Sequence, residues 1–405
     1  MSPVSRGRKP KKRKKSGGGR KPLRGSPFAT DLLRPVGRPD WFDPALAAAV
    51  AETAGLVPAD SPRALEEATA RLIGAQLHAA DGLGATRYGA WTEELVGVLA
   101  DRVLEGEAES WLGAWYCLHG LLSIAPAGMA EWVGEVVGEL RPSLPQEARA
   151  QLPGWLADMP KVSATGELWR LIDVYGGRVG LIAGFRYPEP AEPTVYLLDL
   201  DISGFPVLAS AGVHDNLQQA AAAWRDEVRP AAVNAEPRLV DDGADLQMLT
   251  HWDMGELFVT GNEPRTVMDN WYRSQRRVDD LIEALARRGV VLPPSRSLAA
   301  DLDVEPAVKA FTVWYTARHG QAPAPEPTEA LAAEWLEGAL PGTEHAVSPR
   351  RVQFLLQLVG DWMDDDIAGR VRELLPEWIH WNAAETGLPA EFVEASLAAA
   401  AAGPH

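Results

Sequence analysis

The spacing of apolar residues constrains the fold of this chain more than any other feature of its sequence. From Trp41 to about Pro160, and again from Glu263 to the end, apolar residues recur at intervals of three and four, the period of an amphipathic helix. Between about Gly166 and Leu208 the period changes to two, in short segments separated by turn residues. We therefore predict a mainly α protein with a small central antiparallel β-sheet, an α+β fold in which two helical regions flank a β-meander and one helix.

Helix ends are marked by residues that favour them. Ser61 and Pro62 open one helical segment, where a serine side chain can cap the first turn and proline fits the first helical position. Gly289 ends another segment at a C-terminal cap position. After the strand segments, Asp215 or Asn216 marks the start of one more helix. Because short turns between successive strands favour antiparallel pairing, we expect a small meander that this helix covers.

Changes in composition divide the chain into four predicted segments. A length of 405 residues corresponds to two or three domains at roughly 150 residues each. The predicted segments are a disordered basic arm at 1–38, a helical domain at 39–160, a small α+β domain at 161–262 and a C-terminal helical domain at 263–405. Within the last segment, the proline-rich sequence HGQAPAPEPTE is predicted to link two helices.

Charge is distributed unevenly along the chain. The formal net charge is −17, yet residues 1–25 contain eleven basic residues and no acid, and subtracting these eleven positive charges leaves −28 on residues 26–405. The basic residues are Arg6, Arg8, Lys9, Lys11, Lys12, Arg13, Lys14, Lys15, Arg20, Lys21 and Arg24. A body of this charge repels nucleic acid and anionic lipid on average, so attraction to polyanions should be concentrated in the arm.

The basic arm is the strongest functional signal in the sequence. Lysine and arginine near phosphates release condensed counterions, so a run such as KPKKRKK can bind RNA or DNA without sequence preference. No aromatic residue precedes Phe28, which leaves the arm without side chains for base stacking. Two alternatives stay open: the arm only solubilises the protein, or it folds back onto the protein's own acidic surface.

Cysteine usage and hydropathy bear on the cellular compartment. A single cysteine, Cys117, excludes an internal disulfide and any multi-cysteine metal site, which fits a reducing compartment. The basic start is not followed by the apolar stretch of a signal peptide, and no run reaches the roughly 18 apolar residues of a membrane span. Only Lys161 and Lys309 follow residue 25 while arginine and alanine are plentiful, a usage typical of GC-rich bacterial genomes. We predict a cytoplasmic protein with no membrane contact, cofactor or metal.

Asp199 and Asp201 form the most suggestive acidic pair. They end an apolar strand in VYLLDLDISG, which resembles the hhhhDxDG motif of haloacid-dehalogenase-like phosphotransferases; the resemblance implies a nucleophile and an acid-base group beside magnesium. Gly204 comes later than that motif requires, and a meander differs from the parallel sheet of such enzymes. The alternative is that both carboxylates point outward from one face of a half-exposed strand.

Other candidate metal or catalytic groups depart from established patterns. Asp301, Asp303 and Glu305 mimic the opening of a calcium loop, but proline stands where that loop requires glycine. The eight histidines include no metal-binding pair, and the closest grouping of a histidine with an acid is His251 with Asp253. A lone histidine near an acid is more often an ordinary surface or core residue than a ligand.

The predicted helices are rich in tryptophan and also contain the single cysteine. Most of the fifteen tryptophans occupy apolar helix positions, which favours a role as anchors at helix contacts; an exposed aromatic surface for a protein partner is the alternative. Cys117 lies two residues before His119, and residues at that spacing do not face each other on a helix. A buried thiol is therefore predicted rather than a Cys-His dyad.

The two ends of the chain resemble a known group of proteins. The opening MSPVSRGRKPKKRKK, the tryptophan-rich helical body and the segment WNAAETGLPAEFVEASLAAA resemble a loose group of uncharacterised actinobacterial proteins with an SRGRK-type basic arm. The resemblance implies no activity, and it supplies no catalytic residue.

Our leading hypothesis is a cytoplasmic interaction protein. In it the arm contacts nucleic acid or another polyanion, and the acidic helical body binds a protein partner or a second copy of the chain. The alternative is an enzyme, a metal-dependent hydrolase or phosphotransferase with a site at the central sheet. Its polar groups would be Asp199, Asp201, His214, His251 and Asp253.

Overall fold

The chain forms helices on both sides of a β-sheet, which confirms the predicted fold class. A computed structural model describes residues 38–79, 85–106, 110–188, 193–204, 207–240, 264–291, 303–337, 339, 342–362 and 365–403. The α-helices are α1 (Phe42–Glu52), α2 (Pro62–Ala79), α3 (Ala85–Glu105), α4 (Ser110–Ile124), α5 (Ala127–Leu140), α6 (Gln146–Gln151), α7 (Leu217–Val228), α8 (Arg265–Arg287), α9 (Glu305–His319), α10 (Pro325–Leu336), α11 (Pro349–Trp362), α12 (Asp365–Thr386) and α13 (Ala390–Ala402). Short 3₁₀ helices cover Thr53–Leu56, Arg141–Ser143 and Gly154–Lys161. The strands are β1 (Ser163–Ile172), β2 (Arg178–Arg186), β3 (Pro193–Asp201), β4 (Val207–His214) and β5 (Arg238–Leu239).

Helices α1 to α6 pack through the faces that the apolar spacing predicts. On α3, Trp91, Leu95 and Leu99 are all fully buried. Ser61 caps α2 by accepting a hydrogen bond from the Ala64 N–H at 3.3 Å. Six α-helices are described in this region, of which the short α6 buries no residue and so shows no apolar period.

The described strands form an antiparallel meander in the order β4, β3, β2, β1, β5. Strands β2 and β3 pair continuously from Arg178 opposite Asp201 to Arg186 opposite Pro193. The two-residue β5 pairs with the outer edge of β1. From β1 to β4, successive strands are neighbours in space, as the short turns between them predict, whereas β5 lies at the opposite edge from β4.

Helices cover both faces of the sheet. Leu181, Phe185 and Tyr196 project into the core shared with α2 and α8, whereas Ile182 and the neighbouring residues on the other face pack beneath α7 at Trp224. The sequence prediction named only α7. Helices α2 and α8 cover the other face. Strands β2 and β3 are therefore apolar on both faces, because neither face is in contact with water.

Helices α9 to α13 enclose a further core that is dominated by aromatic rings. Trp335, Trp378 and Trp381 are buried around Phe311, and the ring centroids of Trp378 and Trp381 lie 4.7 Å apart. The connection between α9 and α10 is shorter than the predicted linker HGQAPAPEPTE. Helix α10 already begins at Pro325, because proline is compatible with the first turn of a helix.

Burial confirms the predicted roles of the tryptophans and of the cysteine within the described residues. Trp91, Trp224 and Trp378 are at most 1% exposed, as expected of anchors at helix contacts. Cys117 is fully buried, and burial raises the pKa of its thiol to about 12. None of the described helices combines the length and the apolar composition that crossing a membrane requires. Helix α8 packs with α2 and the sheet, while the division of the chain into domains stays a prediction.

Candidate functional site

Asp199 lies in the interior of the protein, beneath α7. Its side chain is completely buried. Arg178 donates from Nε to Oδ1 at 2.9 Å and from Nη2 to Oδ2 at 2.6 Å. The Trp224 Nε1–H donates to Oδ1 at 2.9 Å, and the Ser210 hydroxyl donates to Oδ2 at 3.1 Å. A carboxylate that accepts four hydrogen bonds and pairs with a guanidinium has a structural role. Through its hydrogen bond with Trp224, Asp199 joins α7 to the sheet.

Asp201 lies on the same face of β3, as the alternation of side chains predicts, and it is also buried. It accepts a hydrogen bond from the Ser203 N–H at 2.9 Å, and the Nε of Arg350 lies 2.7 Å from its Oδ2. The expectation that both carboxylates point into solvent was wrong, because α7 covers Asp199 and the start of α11 covers Asp201. Strand period fixes which side chains share a face, but it does not fix what packs on that face.

The surroundings of this acidic pair differ from those of a haloacid-dehalogenase-like site. The neighbouring strands run antiparallel, without the strand-helix-strand crossovers of a parallel sheet. Within the described ranges, no group of three or more histidine, cysteine, aspartate or glutamate side chains is suited to hold a metal ion. The geometry therefore gives no support to a magnesium-dependent site at Asp199 and Asp201.

A third carboxylate, Asp173, was missed by the sequence analysis. It lies in the turn between β1 and β2 and is 7% exposed. Its Oδ1 accepts hydrogen bonds from the Gly177 N–H at 2.9 Å and the Arg178 N–H at 3.0 Å. Burial raises the pKa of Asp173 to about 6, and the charge of Asp201 acts in the same direction. The sequence DVYGGR indicates a turn, but nothing in it signals that the aspartate is buried.

These carboxylates lie where the sheet meets the C-terminal helices. The Ser203 hydroxyl donates to the Gly177 carbonyl at 3.2 Å, and the Ser348 hydroxyl donates to Ser203 Oγ at 3.2 Å. Ser348 Oγ also accepts from the Arg351 N–H at 3.0 Å, which caps α11. A Cβ atom at Gly177 would lie 2.7 Å from Ser203 Oγ, so any larger residue would displace the Ser203 hydroxyl. This cluster is a polar contact between the sheet and the start of α11.

We expect the stability of the fold to fall as Asp173 ionises. Its raised pKa means that the folded state binds the proton more tightly than the unfolded chain, whose aspartate titrates near 3.8. This contribution is fully present below that pH and is lost as the pH rises through about 6. Asp173→Asn keeps an oxygen for both backbone donors and should raise the free energy of unfolding at about pH 7.5 by about 1–3 kcal/mol.

Urea unfolding of both forms at about pH 4.5 and about pH 7.5 measures this effect. Asp226→Asn is the matched control, because Asp226 is exposed and pairs with Arg229 three residues along the chain. The free energy of unfolding of this control should change with pH as that of the wild type does. An identical pH dependence in the wild type and in Asp173→Asn would contradict the prediction.

Of the remaining predicted catalytic groups, the structure describes His214, and it lies away from the acidic pair. His214 pairs with Val195 at the far end of β3, six residues from Asp201, a separation of about 20 Å along the strand. His251 and Asp253 lie outside the described residues. The five polar groups of the enzyme hypothesis are therefore not assembled into one site by the part of the fold that is described.

The calcium-like motif lies at the start of a helix. Asp303 accepts a hydrogen bond from the Glu305 N–H at 3.2 Å, directly before α9, and Asp301 is outside the described residues. Carboxylates are favourable at the positive end of a helix, which accounts for this acidic sequence.

A buried ionic network between α2 and α8 was also missed by the sequence analysis. Glu66 is completely buried and accepts hydrogen bonds from the Ser123 hydroxyl at 2.6 Å and the Tyr187 hydroxyl at 2.8 Å. Arg277 Nη2 donates to the same carboxylate, and Arg273 Nη1 lies 3.6 Å from it. The network therefore joins α2, α4, α8 and the end of β2 through one side chain.

The charges of this network compensate one another. Burial alone would raise the pKa of Glu66, but the two guanidinium groups outweigh it and hold that pKa below its ordinary value. Arg277 also donates to Asp280 at 2.9 Å, so the arginines face two carboxylates. One sequence signal was available: Glu66 precedes Ile73 and Leu77 by 7 and 11 residues, which places it on their apolar stripe.

The predicted polyanion-binding residues lie outside the described part of the chain, which begins at Arg38. Arg38 itself is held against the body. Its guanidinium lies 2.7 Å from Asp43 and 3.1 Å from Glu94, and 4.9 Å from the centroid of the Phe42 ring. The arm therefore joins the body beside two carboxylates.

The chain matches no family model, no curated protein and no solved structure. The resemblance at its two ends stays a prediction.

Proposed function

We propose that the chain is a non-enzymatic interaction protein whose basic arm binds nucleic acid or another polyanion. Segregation of charge is the observation that supports this. Eleven basic residues and no acid lie within residues 1–25, against −28 on the rest of the chain. Attraction to a phosphate backbone is then concentrated in one short segment, and the body contributes repulsion.

The buried arginines of the body favour the same assignment, because internal acceptors hold them. Arg178 pairs with Asp199 and Arg277 with Glu66. Arg351 donates to the backbone carbonyls of three other residues. None of these guanidinium groups can turn to a phosphate without leaving a buried acceptor unpaired, which is unfavourable. These three arginines therefore have structural roles, and the proposal assigns polyanion contact to the arm.

Counterion release explains how such an arm binds. Each lysine or arginine that contacts a phosphate displaces condensed cations, so the logarithm of the association constant falls linearly with the logarithm of the salt concentration. The arm has no aromatic residue before Phe28, so base stacking adds nothing to this electrostatic attraction. Binding of this kind has little sequence preference.

We extend the proposal to a protein partner, or a second copy of the chain, on the acidic body. Val174 and Val233 are exposed on adjoining segments, which the Val174 N–H joins by a hydrogen bond to the Ala231 carbonyl at 2.9 Å. These exposed apolar side chains are where the proposal places the contact with a partner. Sedimentation equilibrium over a range of concentrations distinguishes a second copy from a different partner.

Removal of residues 1–25 should abolish polyanion binding. Fluorescence anisotropy of a labelled DNA duplex compares the intact chain with the truncated chain. If six of the eleven charges contact phosphates, the slope of log K against log salt should be about −5, and affinity should fall about a thousandfold between roughly 50 and 200 mM salt.

A full-length variant with all eleven basic residues replaced by glutamine is the matched control, because it separates the effect of charge from that of chain length. It should bind as weakly as the truncated chain, with an unchanged melting temperature. Competition by heparin and by inorganic polyphosphate distinguishes a general polyanion site from one for nucleic acid. Equal affinity of all three forms across the salt series would refute the proposal.

A further inference from the structure

The segment that follows the basic arm enters the described structure on an acidic surface of the body. Arg38 lies between Asp43 of α1 and Glu94 of α3, with its guanidinium 2.7 Å from the first carboxylate and 3.1 Å from the second. The same guanidinium lies 4.9 Å from the centroid of the Phe42 ring. An arginine that follows the arm is therefore bound to carboxylates of two helices, although half of its side chain is exposed.

Helix α3 continues this acidic surface away from Arg38. Asp101 and Glu105 are exposed, and they follow Glu94 by seven and eleven residues, which places all three on one face of the helix. The three carboxylates extend over about 16 Å of the helix axis. Arg102, the basic residue in this stretch, is partly buried and donates to the Val50 carbonyl of α1 at 3.4 Å. The acidic face is defined here by four exposed residues, Asp43, Glu94, Asp101 and Glu105.

The basic arm is long enough to reach every carboxylate of the acidic face. Its last basic residue, Arg24, precedes Arg38 by 14 residues, which span up to roughly 46 Å when extended. The arm has eleven positive charges and no acid within residues 1–25. Exposed ion pairs are individually weak, but a tethered segment stays at an effective concentration of about millimolar, so several weak pairs together can hold it.

We propose that, without a polyanion, the basic arm binds the acidic face of its own chain, and that a polyanion must displace it. Three observations carry this inference: the contacts that Arg38 makes, the row of carboxylates on α3, and the opposite charge of the arm that precedes them. The inference rests on the proposed function, which this contact regulates. Only molecules with a released arm can bind a polyanion, so the apparent affinity is reduced by the fraction that is released.

Carbodiimide cross-linking tests the contact on the full chain. The reagent joins a lysine amine to a carboxylate by an amide bond and takes up the water that is lost, becoming a urea. It reports mainly on the arm, because only Lys161 and Lys309 follow residue 25. At about 50 mM salt, mass spectrometry of the monomer should find arm lysines joined to Glu94, Asp101 and Glu105. Excess DNA duplex, or about 500 mM salt, should reduce these cross-links at least about tenfold.

A triple variant of the acidic face measures the competition; it combines Glu94→Gln, Asp101→Asn and Glu105→Gln. At about 50 mM salt it should bind a labelled duplex about tenfold more tightly than the wild type, and the difference should vanish at about 500 mM salt. The matched control removes three exposed carboxylates from the C-terminal helices through Glu373→Gln, Glu385→Gln and Glu394→Gln. Because the change in net charge is the same, the control should bind within about twofold of the wild type.

Three results would overturn the inference. The first is a duplex that binds the arm although no cross-links to the acidic face form in its absence. The second is an equal gain of affinity in both triple variants, which would mean that general repulsion by the body opposes binding. The third is cross-links that join two chains, detected by mixing chains of light and heavy isotopes. Failure of the proposed function looks different, because the cross-links would form within one chain while the duplex neither binds nor removes them.

Discussion

Replacement of Glu66 by glutamine is expected to lower the free energy of unfolding by about 3–5 kcal/mol. Glutamine has almost the same shape, so the loss comes from charge and not from packing. Without the carboxylate, the guanidinium groups of Arg273 and Arg277 keep their burial but lose the negative charge between them. Removing one partner of a buried ion pair leaves an uncompensated charge at low polarity, which is far more unfavourable than losing an exposed pair.

Urea unfolding at neutral pH measures this difference, and an exposed ion pair supplies the control. Glu326→Gln removes the contact of Glu326 with Arg370, where both side chains are open to solvent, and should change stability by no more than about 0.5 kcal/mol. The double variant Glu66→Gln with Arg277→Met should recover part of the loss, because it removes the unpaired charge as well. A loss at Glu66→Gln no larger than that of the control would show that the network contributes little.

Gly74→Ala is expected to destabilise the same helix interface by about 3 kcal/mol. An ideal Cβ atom on Gly74 would lie 2.3 Å from the Cα and 2.5 Å from the amide nitrogen of Asp269. These are backbone atoms of α8, so no rotation of a side chain can relieve the overlap. Helix α8 would have to move away from α2, and this movement would also strain the contacts of Glu66.

Thermal unfolding of Gly74→Ala and of Gly97→Ala tests the argument. Gly97 lies within α3, where an added Cβ would meet nothing within 4 Å. Alanine there should raise the free energy of unfolding by about 0.5–1 kcal/mol, since it favours the helix without a clash. A loss of stability at Gly74 with a gain at Gly97 would show that the loss comes from the close approach of α2 and α8. A similar gain at both positions would contradict it.

The polar centres of the body have a common character. Asp199 and Glu66 are each enclosed, paired with arginine and hydrogen-bonded to neighbouring side chains. Groups arranged in this way hold elements together and leave no oxygen for a substrate. The proposed contact with polyanions depends on the charge of the arm and not on these buried groups.

Local patterns in the sequence predicted the elements well because their causes are local. Asn216 accepts a hydrogen bond from the Gln219 N–H at 3.0 Å and so starts α7 at one of the two predicted positions. Gly289 adopts a left-handed conformation, φ +78, after the end of α8, as its cap position predicts. The predicted linker HGQAPAPEPTE was too long, because the helix α10 begins at Pro325 within it. Proline interrupts helices but also begins them, so its presence alone does not mark a linker.

The sequence by itself determined the helical and extended segments, most of their ends and the separation of basic from acidic charge, since each depends on residues close together in the chain. Only the tertiary structure decided which polar residues are buried and which partners they have. Asp199 and Glu66 are buried because α7 and α8 pack over them, and their partners Trp224 and Arg277 lie 25 and 211 residues away. Burial of a charge depends on which distant segment covers it, and no local period of the sequence records that choice.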